Sequence, residues 1–360
     1  MLRAIASAKK SIRLETYIYA DGKLGKQFLA ALAAAAQRGA HVRVMVDAVG
    51  SWLLPNDFFK PLTDAGGEVR RFNPLNFWRF GVRNHRKLLV CDGQAAFVGG
   101  FNIADEYDGD GVTCGWCDAG AKIENPALIE KLALSFDQLF ATADFHRRPL
   151  LRLRAFKAPR RGSRKKAGEE VLLTHPGAGR SPFQIALHND LHQAKEITIV
   201  SAYFLPPRQL RRDLRWAAKR GVRVRLILAG RSDVPVSRLA AQVYYRRLLR
   251  AGVEIFEYEP QILHAKLMVT DGAAYIGSAN LDIRSLHLNY ELMVRLSDKT
   301  VVDEAHDYVE RILEHCRQVK LSQWLQSQTF WDRWKRYWAH LLLRHVDSFV
   351  ALRQFHSLRD

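Results

Sequence analysis

NHRKLLVCDGQAAFVGGFNIADEY (residues 84–107) and LHAKLMVTDGAAYIGSANLDIRS (residues 263–285) are two versions of one stretch. His85-x-Lys87-x₄-Asp92 recurs as His264-x-Lys266-x₄-Asp271. Each copy then reaches a glycine-led pair and an asparagine: Gly99, Gly100 and Asn102 in the first, Gly277, Ser278 and Asn280 in the second. Leu88 to Val90 and Leu267 to Val269 are short apolar runs that end in Asp-Gly, the pattern of a buried strand entering a tight turn. On extended chain, residues i and i+2 share a face, so each histidine emerges beside its lysine. A single copy on an apolar strand is ordinarily an edge or a hydrogen-bonded histidine. Two copies with the same spacing read as two half-sites of one active site, with two imidazoles and two ammonium groups around a cavity suited to a phosphodiester.

Breaking a P–O bond needs a nucleophile for phosphorus and an acid for the leaving alkoxide, and histidine near neutral pH serves as either. The lysines and asparagines then neutralise and hold the non-bridging oxygens as charge builds. Ser278 adds a hydroxyl on the second side only, since Gly100 stands at its place in the first. The scheme needs no metal and no other cofactor. Asp92 and Asp271 complete the catalytic motif, at strand ends suited to tying down a turn. Each histidine also needs an acceptor for its other ring N–H, and Asp118 in GWCDAG and Glu291 in LNYELMV are the candidates.

The duplication extends well beyond the motifs. Ile12 to Tyr19 matches Ile197 to Phe204, Arg38-Gly39 matches Arg220-Gly221, and Ala65-Gly66 matches Ala251-Gly252. Each repeat reads as strand, helix, strand, helix, strand and motif strand. SIRLETYIY and VRVMVDAV are strand-like, and Lys23 to Gln37 is an alanine- and leucine-rich helix stopped at Gly39. EITIVSAYF, LRRDLRWAAKRG and VRVRLILAG repeat that order. Such alternation predicts an α/β fold in which helices cover a mainly parallel or mixed sheet. Residues 1–150 form the first lobe, 151–170 a basic linker, 171–300 the second lobe and 301–360 a helical segment rich in Trp and Arg. Met1 aligns with Ala186, inside the helix that opens the second repeat. The first repeat is therefore expected to lack a preceding strand and leave a sheet edge unpaired, or to start too far downstream.

These residues resemble the phospholipase D superfamily, whose signature is a duplicated H-x-K-x₄-D followed by G-[GS]-x-N. The resemblance runs from about residue 4 to residue 300 and is nearest to the bacterial cardiolipin synthases. It implies two pseudo-twofold-related α/β/α sandwich lobes with the active site at their interface. It further implies that His85 forms a covalent phosphohistidine with a phosphatidyl group while His264 acts as acid and then base. Lys87, Lys266, Asn102 and Asn280 would contact phosphate. The implied reaction moves a phosphatidyl group from phosphatidylglycerol to a hydroxyl of a second phospholipid and releases glycerol. Hydrolysis of phospholipid or nucleic acid by the same motif is the alternative, with Phe101, Tyr107 and Tyr203 available for stacking on bases.

The chain has 360 residues, 48% of them hydrophobic, enough for two substantial lobes. Lys and Arg number 55 against 37 Asp and Glu, a net charge of +18 that favours polyanions, either an anionic bilayer or nucleic acid. The last segment points to the bilayer. Trp331, Trp334, Trp338, Leu341, Leu342, His345 and Phe349 recur near helical spacing, with Arg333, Lys335, Arg336 and Arg344 between them. Thr329-x-x-Asp332 supplies a start signal. A basic amphipathic helix with three tryptophans suits a lipid interface, and packing of its aromatic side on the second lobe is the alternative. No apolar stretch is long enough to span a membrane. Peripheral association with the cytoplasmic face of a bacterial cell membrane is expected. Cys91, Cys114, Cys117 and Cys316 give no disulfide framework, and Cys114-x₂-Cys117 lacks further ligands for zinc.

Overall fold

The computed structural model describes residues 1–73, 81–143, 168–177 and 179–357, with backbone alone from 344 onward. The basic linker lies outside the described residues apart from its last three positions. So do the side chains of Arg344, His345 and Phe349.

Both repeats build the same succession of elements. The first contains α1 (Leu2–Ser7), β1 (Ser11–Thr16), α2 (Lys23–Gln37), β2 (His41–Asp47), α3 (Lys60–Asp64), β3 (Glu68–Phe72), β4 (Leu88–Cys91), β5 (Ala95–Gly99), β6 (Gly120–Ile123) and α4 (Pro126–Ala141). The second opens with a further strand, β7 (Glu170–Thr174), followed by α5 (Pro182–Gln193), β8 (Glu196–Ser201), α6 (Arg208–Lys219) and β9 (Arg223–Ala229). It continues through α7 (Pro235–Ala241), α8 (Tyr245–Leu249), β10 (Glu254–Tyr258), β11 (Lys266–Thr270), β12 (Ala273–Gly277), α9 (Ile283–His287), β13 (Glu291–Leu296) and α10 (Lys299–Leu313). β14 (Cys316–Gln318), α11 (Leu321–Gln326) and α12 (Phe330–Ser357) complete the described chain.

The first sheet has the order β3-β2-β1-β4-β5-β6 and the second β14-β10-β9-β8-β11-β12-β13-β7. In each, three strands joined by helices run parallel, and the motif strand turns antiparallel against the innermost of them, β4 on β1 and β11 on β8. The sheets are therefore mixed. The motif hairpins differ by one residue, because Cys91 pairs with Ala95 whereas Thr270 pairs with Ala273. Asp92 and Gly93 of the longer turn both have positive φ, 53° and 67°. β7 lies on β13 at the edge of the second sheet, and among the described residues no strand takes the corresponding place beside β6.

Capping ties the elements to the motif loops. Asp105, three residues past Asn102, accepts the backbone N–H groups of Lys23 and Leu24 at 3.1 and 2.7 Å and so caps α2. Asn125 caps α4, Ser181 and Gln184 form a capping box on α5, and Asp298 caps α10. One apolar core belongs to the outer helices of the first lobe, around Leu14, Leu32, Val44 and Leu62, and another to those of the second, around Ile199, Leu214, Leu226 and Tyr245. A third is shared. Leu88, Val90 and Met45 of the first sheet pack with Val200, Ile227 and Leu267 of the second, together with α4 and α10. The two motif strands thus meet across a joint hydrophobic layer, which sets their polar ends side by side.

Candidate active site

The residues before each motif strand are held by the opposite lobe. His85 donates its backbone N–H to Tyr290 O at 3.0 Å, and Tyr290 donates to Arg83 O at 2.9 Å. In the other half, His264 donates to Cys117 O at 2.7 Å and Cys117 to Ile262 O at 2.9 Å. Tyr290 immediately precedes Glu291 and Cys117 immediately precedes Asp118. Each histidine is therefore laid against the chain that carries the other lobe's acid.

The side chains follow the backbone. His85 Nδ1 lies 3.0 Å from both oxygens of Glu291, and His264 Nδ1 lies 2.7 Å from Asp118 Oδ2. A carboxylate only accepts, so each Nδ1 carries the proton and each Nε2 keeps its lone pair. Both orienting acids come from the lobe opposite their histidine. Glu291 is fully buried. Burial pushes its carboxyl upward, but His85, Lys87 and Ser278 together outweigh that and hold it below the ordinary glutamate range.

Ser278, expected to bind substrate, has another place. It is fully buried, donates to Glu291 Oε2 at 2.5 Å and accepts the N–H of Leu292 at 3.0 Å. Its hydroxyl serves the acid behind His85 and is turned away from the cavity. Gly100 stands at the corresponding position because a Cβ there would come within 2.3 Å of Asp118 Oδ1. The serine and glycine forms of the motif match the two acids: the glutamate meets a hydroxyl, and the aspartate fills the space itself.

Lys87 and Lys266 are both buried, with Nζ hydrogen-bonded to the carbonyl of the histidine two residues back. Lys266 Nζ also lies 2.9 and 3.0 Å from the two ring nitrogens of His264. Burial lowers Lys87 to about 7 and Lys266 to about 8. Burial, then the charge of Lys266, brings His264 to about 4, while burial and Lys87 depress His85 against the pull of Glu291. Lys266 also acts on His85, and Lys87 on His264. The two half-sites thus share one electrostatic cavity, in which cationic groups are crowded and held back from full charge.

Asp92 and Asp271, grouped by sequence with the catalytic residues, sit at the far ends of their strands, roughly 23 Å of extended chain from the histidines. Asp92 accepts the backbone N–H groups of Lys9, Lys10 and Ser11 at 2.8–2.9 Å, and Asp271 those of Lys195 and Glu196 at 2.7 and 3.3 Å. They fasten the motif hairpin to the start of the innermost parallel strand. Asn102 accepts the N–H of Ile18 at 3.1 Å and donates to Tyr107 Oη at 2.8 Å, so both amide ends engage the protein. Asn280 is buried, and its Oδ1 has no hydrogen-bond partner.

Aromatic rings that the motif does not announce wall the cavity. Tyr17 meets His85 edge-on at 5.0 Å, and Tyr107 and Trp116 lie 5.3 Å from His264. Trp116 is two residues from Asp118, and Tyr17 follows β1 directly, which is the signal that could have found them. Tyr203 lies 6.5 Å from His264, whereas Phe101 packs over Gly99 and Gly120. Among the described residues, the one group of three side chains placed to hold a metal ion is His188, His192 and Asp213, on α5 and α6. None of these three contacts the histidine–lysine pairs.

A family described as "Cardiolipin synthase, PLD-like domain" matches residues 1–140 and 187–313. The chain is 34% identical over 370 residues to cardiolipin synthase B of Shigella flexneri, covering 100% of this chain and 88% of that protein. The Escherichia coli K12 cardiolipin synthase B matches with the same identity and coverage. Among solved structures, the phosphatidylserine synthase of Haemophilus influenzae aligns with a TM-score of 0.74 at 17% identity, over 97% of this chain and 91% of that one. The polyphosphate kinase of Porphyromonas gingivalis aligns with a TM-score of 0.59 at 17% identity, over 89% of this chain and 46% of that one. At such identities these two describe the fold alone.

Proposed function

The chain belongs to the cardiolipin synthase family of phospholipase D-like proteins, and on that premise we propose that it transfers a phosphatidyl group from phosphatidylglycerol to the hydroxyl of a second phospholipid. The observation that carries the reading is the pair of imidazoles, each anchored through Nδ1 by a carboxylate of the opposite lobe.

His85 Nε2 attacks phosphorus, forming an N–P bond as the P–O bond to glycerol breaks. His264, protonated once the substrate anion is in place, gives its Nε2 proton to the departing alkoxide. Glycerol leaves, and the acceptor hydroxyl then loses its proton to His264 and attacks phosphorus, expelling His85. Lys87 and Lys266, with Asn280, bear the growing charge on the non-bridging oxygens. The order of the histidines is supported by an asymmetry between the two half-sites. Both lysines are bonded to the carbonyl of their histidine, but Lys266 Nζ also lies 3.0 Å from His264 Nε2, and no such ring contact joins Lys87 to His85 among the described residues. The ammonium leaves for the phosphoryl oxygens when substrate enters.

Peripheral binding to the cytoplasmic face of the membrane completes the proposal. No helix among the described residues is long and apolar enough to cross a membrane. α12 packs on α7 and α9 through Ala339 and its neighbours, and leaves Trp331, Trp334 and Trp338 64%, 49% and 52% exposed. In the first lobe Trp52 and Leu53 are 67% and 77% exposed, on a loop whose Ser51 donates to Tyr17 O at 3.1 Å, next to His85. Apolar side chains of both lobes are thus exposed to solvent, and indole favours the headgroup region of a bilayer.

The test is incubation with phosphatidylglycerol vesicles, with and without chelator, beside His85→Ala and His264→Ala. Cardiolipin and glycerol should form in the unaltered protein, persist in chelator and disappear in both variants. Phosphatidic acid as the sole product would make the protein a hydrolase, and unchanged lipid would remove the lipid reading.

A further inference from the structure

Beside α12 the second lobe carries a groove of about 360 Å³ lined by Arg208, Arg211, Arg212 and Arg215 of α6, with Arg247 and Tyr244 across from them. The four α6 arginines fall at i, i+3, i+4 and i+7, one face of a helix. The one acid of α6, Asp213, points the other way, buried against His188 at 2.8 Å. No carboxylate among the described residues pairs with Arg208, Arg212, Arg215 or Arg247. Arg212 donates to Gln209 Oε1 and Arg215 to the Arg211 carbonyl, and the Arg211 guanidinium lies over the Tyr244 ring at 4.5 Å. Four guanidinium groups, gathered around Arg211 with no carboxylate paired to them among the described residues, repel one another unless an anion joins them, and the planar fork of arginine matches phosphate oxygens two at a time.

The groove continues into a second, more apolar one that shares Arg208, Arg211 and Tyr244 and is lined by Leu205, Pro206, Ile283 and Leu343. Leu343 belongs to α12, and Leu205 and Pro206 follow Tyr203, the ring 6.5 Å from His264. The ligand that fits this sequence of surfaces has an anionic phosphate at one end and apolar substance at the other. It lies beside the helix whose tryptophans face outward. Nucleic acid would need open aromatic faces, and Tyr244 is covered by Arg211 and meets His340 at 5.3 Å.

We propose that this groove is an accessory site for the headgroup phosphate of an anionic phospholipid within the bilayer, separate from the two-histidine cavity. The choice of lipid rests on the phosphatidyl-transfer reading. The site holds the second lobe down on anionic membrane while the catalytic cavity exchanges substrates.

The test uses the His85→Ala protein, which leaves vesicle lipid unconverted. Its binding to phosphatidylcholine vesicles with and without phosphatidylglycerol is compared with that of Arg212→Gln/Arg215→Gln/Arg247→Gln and of the charge-matched Lys219→Gln/Arg246→Gln/Arg250→Gln. The groove triple should lose roughly 100-fold of the phosphatidylglycerol-dependent affinity, from about 1 kcal/mol per basic residue at the surface, and the matched triple at least tenfold less. Equal losses would mean a diffuse basic field and overturn the site. Displacement from the vesicles by soluble glycerol phosphate would assign the groove to free phosphoesters and overturn the lipid. Should the triple fail to fold, as a thermal melt would reveal, exposed Arg247→Gln alone is read against Arg246→Gln. Cardiolipin formation by the unaltered chain is followed on the same vesicles. Turnover with equal losses sinks the groove alone, and a groove-specific loss without turnover sinks phosphatidyl transfer alone.

Discussion

At the scale of the residue, the two carboxylates act on different steps because they face different histidines. Glu291→Gln leaves His85 with a poorer acceptor behind its Nδ1, so attack on phosphorus should slow by roughly 100-fold or more. Asp118→Asn does the same to the imidazolium of His264, and the deficit there falls on protonation of the leaving alkoxide. A phosphatidyl ester of 4-nitrophenol, whose leaving group needs no proton, should restore phosphohistidine formation in Asp118→Asn and leave Glu291→Gln slow. Equal rescue of both would refute the crossed assignment. The lysines make a second prediction. With Lys87 near 7 and Lys266 near 8, part of each population is uncharged at pH 8. A phosphate anion favours the ammonium form, so calorimetry of inorganic phosphate binding in buffers of different ionisation enthalpy should register proton uptake at pH 8. Binding with no proton exchange would mean that the lysines do not meet the anion.

At the scale of the element, the C-terminal helix divides its two tasks between faces. Arg336, Ala339 and His340 face the second lobe, with Arg336 donating to Gln242 at 2.9 Å and His340 meeting Tyr244. Trp331, Trp334, Trp338 and Leu342 form the opposite, exposed stripe. Thr329 and Asp332 cap the helix reciprocally, as their spacing foretold. The helix therefore needs no lipid to fold, and Trp331→Ala/Trp334→Ala/Trp338→Ala should keep the melting temperature while weakening vesicle binding by roughly tenfold or more. A melting temperature lowered by many degrees with unchanged vesicle binding would mean that the tryptophans serve packing. The outer strands and helices were legible in the same way. Lys23–Gln37 was read from composition and Gly39, and β1, β2, β8 and β9 from apolar runs. β5, β6, β12 and β13 escaped: the first three are short, carry a glycine at one end and read as motif tail, and β13 was noticed only for its acid, Glu291.

At the scale of the whole molecule, the shared core makes the two lobes one cooperative unit. Leu88 and Val90 pack in the same cluster as Val200 and Leu267, so unfolding either sheet exposes the other. A single thermal transition, with calorimetric and van't Hoff enthalpies equal, is expected, and two resolved transitions would contradict it. The interface should also be sensitive to acid. His264 and His175 are each held down by burial to about 4, below their unfolded value. Between about 6.5 and about 4 the unfolded chain therefore binds more protons than the native one, and stability falls as the pH falls through that window. His264→Gln should flatten part of that slope in denaturant titrations, and an unaltered slope would place the sensitivity elsewhere.

The sequence by itself determined that there are two matched half-sites, that helices cover a mainly parallel or mixed sheet in each lobe, and that histidine and lysine leave each motif strand on one side. Those properties depend on periodicity and spacing along a single stretch of chain. Tertiary structure alone decided that Glu291 serves His85 and Asp118 serves His264, since pairing across lobes has no local signature. It also decided that Ser278 turns inward to a buried carboxylate while Asp92 and Asp271 fasten turns. A hydroxyl or a carboxylate carries no mark of whether its partner will be substrate, imidazole or backbone; the backbone that packs around it makes that choice.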